Sequence, residues 1–498
     1  MKNSNLKNNI ISSILLRIIT IICGFILQKL IIKTYGSDTN GLIVSITQYL
    51  KYIVIFEAGM TPVIKSILYK PILNNKNNII KNILKTCDNF YKKVAYILIG
   101  YILILCLILP NILKTSNDSI FTISLIIIIS LSLFLDYFLG ITYNIYLQVK
   151  QKVYVVSNIQ IITILFNFIV CIIMIYFNVN IIIIKLCSTL ILIMRPLLLK
   201  RYVESKYRLY FNNEPGNYEI EQKWNGFANH ASYVVHNNTD VIILSIFSNI
   251  NEISVYSIYY LIINSVRLLV LSVVGGVDTY LGKLLAKNDN KVLNDSFKKY
   301  ELIYHSIAVV AFGVLYTIII PFMNIYMKEI TDVNYIRPIF ASVMVLALFI
   351  WVIRQPYKDI IDSAGHFKQT QKYSIAEAIL NILISLILVT KYGIVGVALG
   401  TLISITIRTV QLMIYVTKNI LYRSFSIIIK RMILLILEYS FIILLFKYLI
   451  IFNITNYLNC VIYAIIISLV SLVIVFVFNY IFYNKDIKEL FNKNKKHI

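Results

Sequence analysis

Charge is scarce in this chain. Only 14% of its 498 residues are Asp, Glu, Lys or Arg, against about 25% in soluble globular proteins. Motifs that carry enzyme chemistry are missing as well. The sequence has no Walker A loop, no GxSxG, no HExxH and no polar insertion large enough for a catalytic domain. The six cysteines (Cys23, Cys87, Cys106, Cys171, Cys187 and Cys460) show no CxxC spacing, and most sit inside apolar runs. They read as small core residues and imply neither a disulfide framework nor a metal centre. His230 and His236 lack a Cys or Glu at ligand spacing, so no metal is expected there either.

What is present is apolar. Hydrophobic residues make up 59% of the chain, and 0.59 × 498 ≈ 294; soluble chains carry about 45–50%. Mean hydropathy is +0.78. At about 20 apolar residues per span, this supplies up to about fifteen transmembrane helices. A soluble enzyme, a disordered tail protein and a secreted disulfide scaffold are excluded, and an all-α integral membrane protein is expected. The richness in Ile, Asn, Lys and Tyr reads as genomic composition bias and carries no functional meaning.

Fourteen apolar segments are long enough to span: 10–33, 41–66, 91–110, 119–147, 153–177, 179–199, 227–248, 253–281, 302–322, 335–353, 373–390, 393–417, 427–450 and 458–483. The first carries Arg17 and Gln28 and no small-residue cleavage site, so it reads as a retained helix. Lys+Arg exceed Asp+Glu by 47 − 23 = 24. On a soluble chain that surplus would suggest nucleic acid, but here its position decides. The N-terminus and the loops 66–93, 195–225, 282–301, 354–372, 418–431 and 484–498 hold most of the basic residues, among them Lys76, Lys81, Arg201, Lys206, Lys291 and Lys488. The opposite side holds Lys33, Lys114, Lys328, Arg337, Lys391 and Lys447. This alternation places both termini in the cytoplasm and makes the basic surplus topological, with no nucleic-acid partner.

A shift of 213 residues lays Tyr69–Asn75 on Gly282–Asn288, Tyr91 on Tyr304, Arg195 on Arg408 and Val203 on Val416. The constant offset implies two parallel six-helix lobes, 1–208 and 209–420, followed by two more helices and a basic tail over 421–498. Transporters place substrate sites between such repeats.

Helices 1, 2, 7 and 8, which this repeat makes equivalent, carry polar stripes. Helix 1 has Ser13, Arg17, Thr20, Gly24 and Gln28, and helix 2 has Gln48, Lys51, Gly59 and Lys65. Helix 7 has Asn229, Tyr233, His236, Asn237 and Asp240, and helix 8 has Tyr260, Asn264, Arg267 and Asp278. Together they are expected to wall a wet cavity between the lobes. Lys51 lies about 15 Å into its span and Arg267 about 20 Å. Facing lipid, each would cost about 2.5–3.5 kcal/mol, so a cavity or an ion pair is required. Arg17, about 10 Å from its helix end, can snorkel. Lys29, Lys65, Arg195 and Arg408 read as interfacial anchors, Glu57 and Asp136 as structural partners of lysines, and Gly275–Gly276 as a close-packing site.

Two stretches carry a family resemblance. Tyr35-Gly36-Ser37-Asp38-Thr39-Asn40-Gly41-Leu42, with Gln48-Tyr49-Leu50, Glu57-Ala58-Gly59 and Leu68-Tyr69-Lys70-Pro71, resembles the N-terminal signature of bacterial polysaccharide repeat-unit flippases. Asn238-Thr239-Asp240-Val241-Ile242-Ile243-Leu244-Ser245 and Val255-Tyr256-Ser257-Ile258-Tyr259 resemble their second-lobe entry. The likeness covers essentially the whole chain and places it in the multidrug/oligosaccharidyl-lipid/polysaccharide superfamily.

The resemblance implies a non-enzymatic flippase of the bacterial cytoplasmic membrane. It would carry undecaprenyl-diphosphate-linked oligosaccharide by alternating access, for capsule, O-antigen or another envelope polymer, beside a polysaccharide polymerase and glycosyltransferases. A diphosphate in transit needs hydrated cations, and Lys51, Arg267 and Arg17 fit that need, with Gln48 and Asn264 among the groups for sugar. With no nucleotide site, direction must come from Na⁺, H⁺ or the membrane potential. Asp240 is the best buried carboxylate for coupling. Relatives are thought to hold a coupling cation between helix 7 and helices 11–12, where this chain offers Glu377, Asn381, Thr401 and Ser404. An Asp240–Arg267 ion pair is the plainer alternative for those two residues. A multidrug/cation antiporter of the same superfamily and a membrane polysaccharide polymerase are the competing functions. The central cations argue against the first and the short outside loops against the second.

Overall fold

The computed structural model describes residues 3–57, 59–113, 118–209, 218, 227–272, 277–286, 289–449 and 454–484. Gly275, Gly276, the side chain of Asp278, Ala58 and the lysines of the C-terminal tail lie outside them.

The described residues form helices. In the first half of the chain these are α1 (Asn3–Leu50), α2 (Met60–Leu73), α3 (Asn77–Ile112), α4 (Ser119–Leu135), α5 (Ile141–Val149), α6 (Val153–Tyr176), α7 (Ile181–Tyr207) and α8 (Phe227–Phe247). The second half continues with α9 (Ile250–Ser272), α10 (Val277–Ala286), α11 (Asn290–Tyr326), α12 (Pro338–Ile353) and α13 (Gln355–Ala364). It ends with α14 (Phe367–Asn419), α15 (Phe425–Leu449) and α16 (Tyr457–Phe482).

Among the described residues, ten helical runs are long and apolar enough to cross a membrane. Two of them turn back on themselves, because the backbone leaves helical geometry at Gly36 (φ 84°) in α1 and at Gly393 (φ 54°) in α14. Both angles lie where an L side chain is strained and glycine is not. Counting each limb, and adding α8 and α15, gives fourteen traversals, as the hydropathy requires. The chain is a multi-pass membrane protein.

Contacts divide it into two compact units, Met1–Ile258 and Tyr259–Ile498. In the first, α1 packs on α6, α6 on α7, and α4 on α3 and α7. A π-turn at Asp136–Gly140 joins α4 to α5 and packs on α3 and α7. Gly140 makes this approach possible, since a Cβ there would sit 3.0 Å from Pro196 Cβ. The core is aliphatic, with Leu42, Ile46, Ile53, Ile83 and Leu98 sealed from solvent.

In the second unit α11 packs on α12, α15 and α16, and α12 packs on α14. The last two helices are fastened by a buried polar chain. Arg431 donates to Asn479 Oδ1 (2.8 Å), the Leu302 carbonyl (3.0 Å) and His305 Nδ1 (3.4 Å), and Asn479 donates to Glu438 Oε1 (2.7 Å). Arg423, just before α15, forks onto both oxygens of Glu301 at 3.0 and 3.1 Å, and Tyr357 donates to the same carboxylate. Burial of charge is tolerable in such pairs because most of their hydrogen bonds are filled, Arg423 Nε and Glu438 Oε2 being the exceptions. The other faces of α15 and α16 expose Ile436, Leu444, Leu469 and Val473, as lipid-facing helices do.

Candidate functional site

The first unit contains a broken span. Past the bend at Gly36 the helix runs to Leu50, tightens into 3₁₀ geometry over Lys51–Glu57, and restarts at Met60 after Gly59, which is left-handed (φ 69°). A mid-span 3₁₀ stretch frees backbone carbonyls, which inside a membrane must find donors. Here they do. His230 Nε2 donates to the Val54 carbonyl at 3.0 Å, and the Tyr101 hydroxyl to that of Tyr49 at 2.9 Å. The first bond assigns His230 its Nε2–H tautomer, because a carbonyl only accepts.

Polar side chains line the approach to the break. Gln48 donates to Asn238 Oδ1 (2.8 Å) and the Asn237 carbonyl (3.2 Å), and Lys51 Nζ donates to Gln48 Oε1 (3.3 Å). Tyr52 pairs with Thr239 at 2.8 Å, and Tyr256 donates to the buried Asp240 Oδ2 at 2.9 Å. Lys51 is exposed at the surface of the packed chain, and Arg17 is half-buried on α1. By rise per residue Lys51 stands about 20 Å past the bend, so its ammonium sits deep in the span.

Glu57, read from sequence as a partner of lysine, instead accepts from Tyr137 at 2.5 Å. Asp136 does have a cationic partner, Arg195 at 3.9 Å.

The second unit holds the stronger cationic site. Arg267 on α9 is only 7% exposed and lies with its guanidinium 4.4 Å from the ring centre of Trp351, while Arg354 lies 5.2 Å from the same ring. Cation–π attraction of this kind is worth about 2 kcal/mol when desolvated. Arg354 Nη1 meets Glu377 Oε1 at 2.5 Å, and Arg408 Nε stands 3.9 Å from Glu377 Oε2. Arg408 is secured independently by the Thr370 carbonyl (3.1 Å) and Ser374 Oγ (2.7 Å). It is buried well inside the hairpin, and the interfacial anchor expected at this position is corrected.

Near Arg267, several buried polar atoms have no hydrogen-bond partner among the described residues: its own Nε, Trp351 Nε1, Tyr304 OH and Asn264 Oδ1. Asn264 and Arg267 share one face of α9 at a three-residue step. Asn381 donates to Thr401 Oγ1 at 2.9 Å across the α14 hairpin. Glu377 lies one turn before Asn381 on the same limb, with Arg354 and Arg408 against its carboxylate.

Trp351, Arg354 and Tyr304 were not singled out by the sequence. Arg354 reads as the first residue of a basic loop, and Trp351, one of only two tryptophans, was the signal available.

These features define a multi-pass helical membrane protein with buried cationic side chains in its spans. No protein-family model matches the chain, and no curated protein matches it in sequence. Solved structures do match. The lipid II flippase MurJ in an inward closed conformation aligns over 96% of this chain and 99% of its own, at 16% identity and a TM-score of 0.69. An inward-facing multidrug resistance MATE family transporter of the MOP superfamily aligns over 80% and 93%, at 11% identity and 0.59. The MATE transporter ClbM, solved with Rb⁺, aligns over 85% and 95%, at 14% identity and 0.54. At these identities the likeness establishes the fold.

Proposed function

We propose that this chain is a flippase for undecaprenyl-diphosphate-linked oligosaccharide in the bacterial cytoplasmic membrane, serving the synthesis of an envelope polysaccharide. The observation that carries the reading is Arg267, a nearly buried guanidinium among donors unpartnered within the described residues, in the last turns of α9. Lys51 supplies a second cation beside the broken span of the other unit. Moving a diphosphate through an apolar medium unpaired would cost several kcal/mol or more. One phosphate–cation pair at 4 Å returns about 4 kcal/mol at an effective dielectric near 20, before desolvation is subtracted. The Gln48, Asn237 and Asn264 amides offer hydrogen bonds to sugar, and the prenyl tail stays in lipid. The fold shared with a lipid II flippase supports a lipid-linked substrate. Coupling through Asp240, with Na⁺ or H⁺ as the ion, belongs to the same proposal.

The test is export of radiolabelled lipid-linked sugar in a deletion strain. Complementation with the wild type should clear the inner-leaflet pool. Lys51→Ala and Arg267→Ala should let it accumulate while the protein remains in the membrane, and Lys29→Ala should export normally. Normal export by both of these variants refutes the cationic mechanism, and polymer halted at one repeat unit would indicate a polymerase.

A further inference from the structure

Among the described residues, the second unit buries more arginines than carboxylates. Arg267, Arg354 and Arg408 are each no more than 8% exposed, and Glu377 is the carboxylate in contact with two of them. Two other acids lie in this region: Asp359 accepts from the neutral donors Tyr300 (2.6 Å) and Gln355 (2.7 Å) and keeps its charge on the Tyr304 side, while Asp362 pairs with Lys358 (2.9 Å). Contrast the Arg423–Glu301 fork, where the carboxylate is bound through both oxygens. Around Arg267 the unfilled groups are mostly donors: a guanidinium Nε–H, an indole N–H and a phenol hydroxyl. A buried cation with unfilled donors is costly to keep unless an anion repays it at some stage.

We infer that Arg267, Trp351, Tyr304 and Arg354 form a subsite for a phosphate group, and that Glu377 is an internal anion holding Arg354 until phosphate takes its place. The two arginines of the Glu377 cluster differ in a way that fits this exchange. Arg408 keeps its bonds to Thr370 and Ser374 if Glu377 lets go. Among the described residues, the Arg354 side chain has Glu377 as its hydrogen-bonding partner and otherwise the face of Trp351, the ring that also carries Arg267. Arg354 is therefore free to swing once Glu377 is displaced, and its swing keeps it against the Arg267 side of the indole. A guanidinium accepts phosphate in the same forked geometry as carboxylate. Glu377 thus occupies Arg354 in the unloaded chain, and a phosphate bearing more charge outcompetes it.

The inference rests on the proposed transport of a phosphate-bearing lipid, but its test does not require transport. Inorganic pyrophosphate binding is measured by calorimetry on the full-length protein in uncharged detergent, and farnesyl diphosphate binding is measured in parallel. Glu377→Gln keeps the shape and removes the competing charge, so pyrophosphate should bind about tenfold more tightly. Arg354→Ala should cancel that gain in the double variant. Arg267→Ala should weaken binding in every background, and Arg267→Lys should restore part of it. Unchanged affinity in Glu377→Gln overturns the exchange. If Glu377→Gln does not fold, Glu377→Asp, whose shorter arm loosens its hold on Arg354, must show the same tightening or the exchange fails.

Farnesyl diphosphate binding that loses its Arg267 dependence while pyrophosphate retains it would limit the subsite to free phosphate and overturn its role toward lipid. Pyrophosphate binding that follows this pattern in a protein that exports no lipid-linked sugar would keep the subsite and lose the flippase assignment. Absence of pyrophosphate binding in both wild type and Glu377→Gln removes the subsite, whatever the protein carries.

Discussion

Replacing Gly400 with alanine tests whether the α14 hairpin is what assembles the Glu377 cluster. A Cβ added at Gly400 would sit 2.1 Å from Ser385 Oγ, 2.8 Å from its backbone nitrogen and 3.0 Å from its Cα. The side-chain atom can rotate away, but the backbone atoms cannot, so the two limbs must separate. Overpacking of this kind costs about 1–3 kcal/mol. The separation falls on the Asn381–Thr401 hydrogen bond, one residue along from Gly400, and losing that bond adds about 1 kcal/mol. With about 2–4 °C per kcal/mol for a unit of this size, the melting temperature in detergent should fall by several degrees. Ser385→Ala in the same chain removes the nearest atom and should recover part of the loss, but not all. Gly100→Ala, where a Cβ meets nothing within 4 Å, serves as the control and should melt no lower than wild type, because alanine favours helix over glycine by about 1 kcal/mol. A Gly400→Ala protein as stable as the wild type would refute the close approach and, with it, the registration of Glu377 against Arg408.

Three further outcomes follow from the same physics. Asn479→Leu strips Arg431 Nη1 and Glu438 Oε1 of their shared partner inside the bundle and should destabilise the protein by about 3–5 kcal/mol, whereas Arg431→Met, Glu438→Leu and Asn479→Leu together should cost less; thermal unfolding in detergent compares them, and a triple variant weaker than the single one refutes the reading. His230→Leu leaves the Val54 carbonyl without its donor and should cost about 1–3 kcal/mol, while His230→Gln, which keeps a donor, should cost less; equal melting of the two variants would show that the break does not depend on this bond. A cysteine placed at the exposed Asn249 should label from outside the cell with an impermeant thiol reagent, and one at the exposed Asn77 should not; the reverse pattern refutes the orientation drawn from loop charge.

Membrane class and the number of traversals were legible in the sequence, because burial of apolar side chains in lipid is a one-dimensional constraint that each span obeys by itself. The depth argument likewise singled out Arg267 and Lys51, since a cation well inside its predicted span needs a reason wherever the helix goes, although α9 ends at Ser272, closer to Arg267 than the span 253–281 implies. What those cations touch was beyond reach of the sequence. Arg354 reads as the start of a basic loop, and Arg408 reads as an anchor near a helix end. They become a buried pair on Glu377 only when α14 doubles back at Gly393 and α12 packs against it. Glu57 shows the same limit, since its partner Tyr137 is eighty residues away on a π-turn that no periodicity announces. The 3₁₀ stretch at Lys51–Glu57 sits inside a run whose composition is ordinary for a helix; it persists because His230 and Tyr101, distant in sequence, donate to the carbonyls it frees. Spans are set by the solvent around each segment, whereas partners are set by which segments meet, and that was decided by the tertiary structure alone.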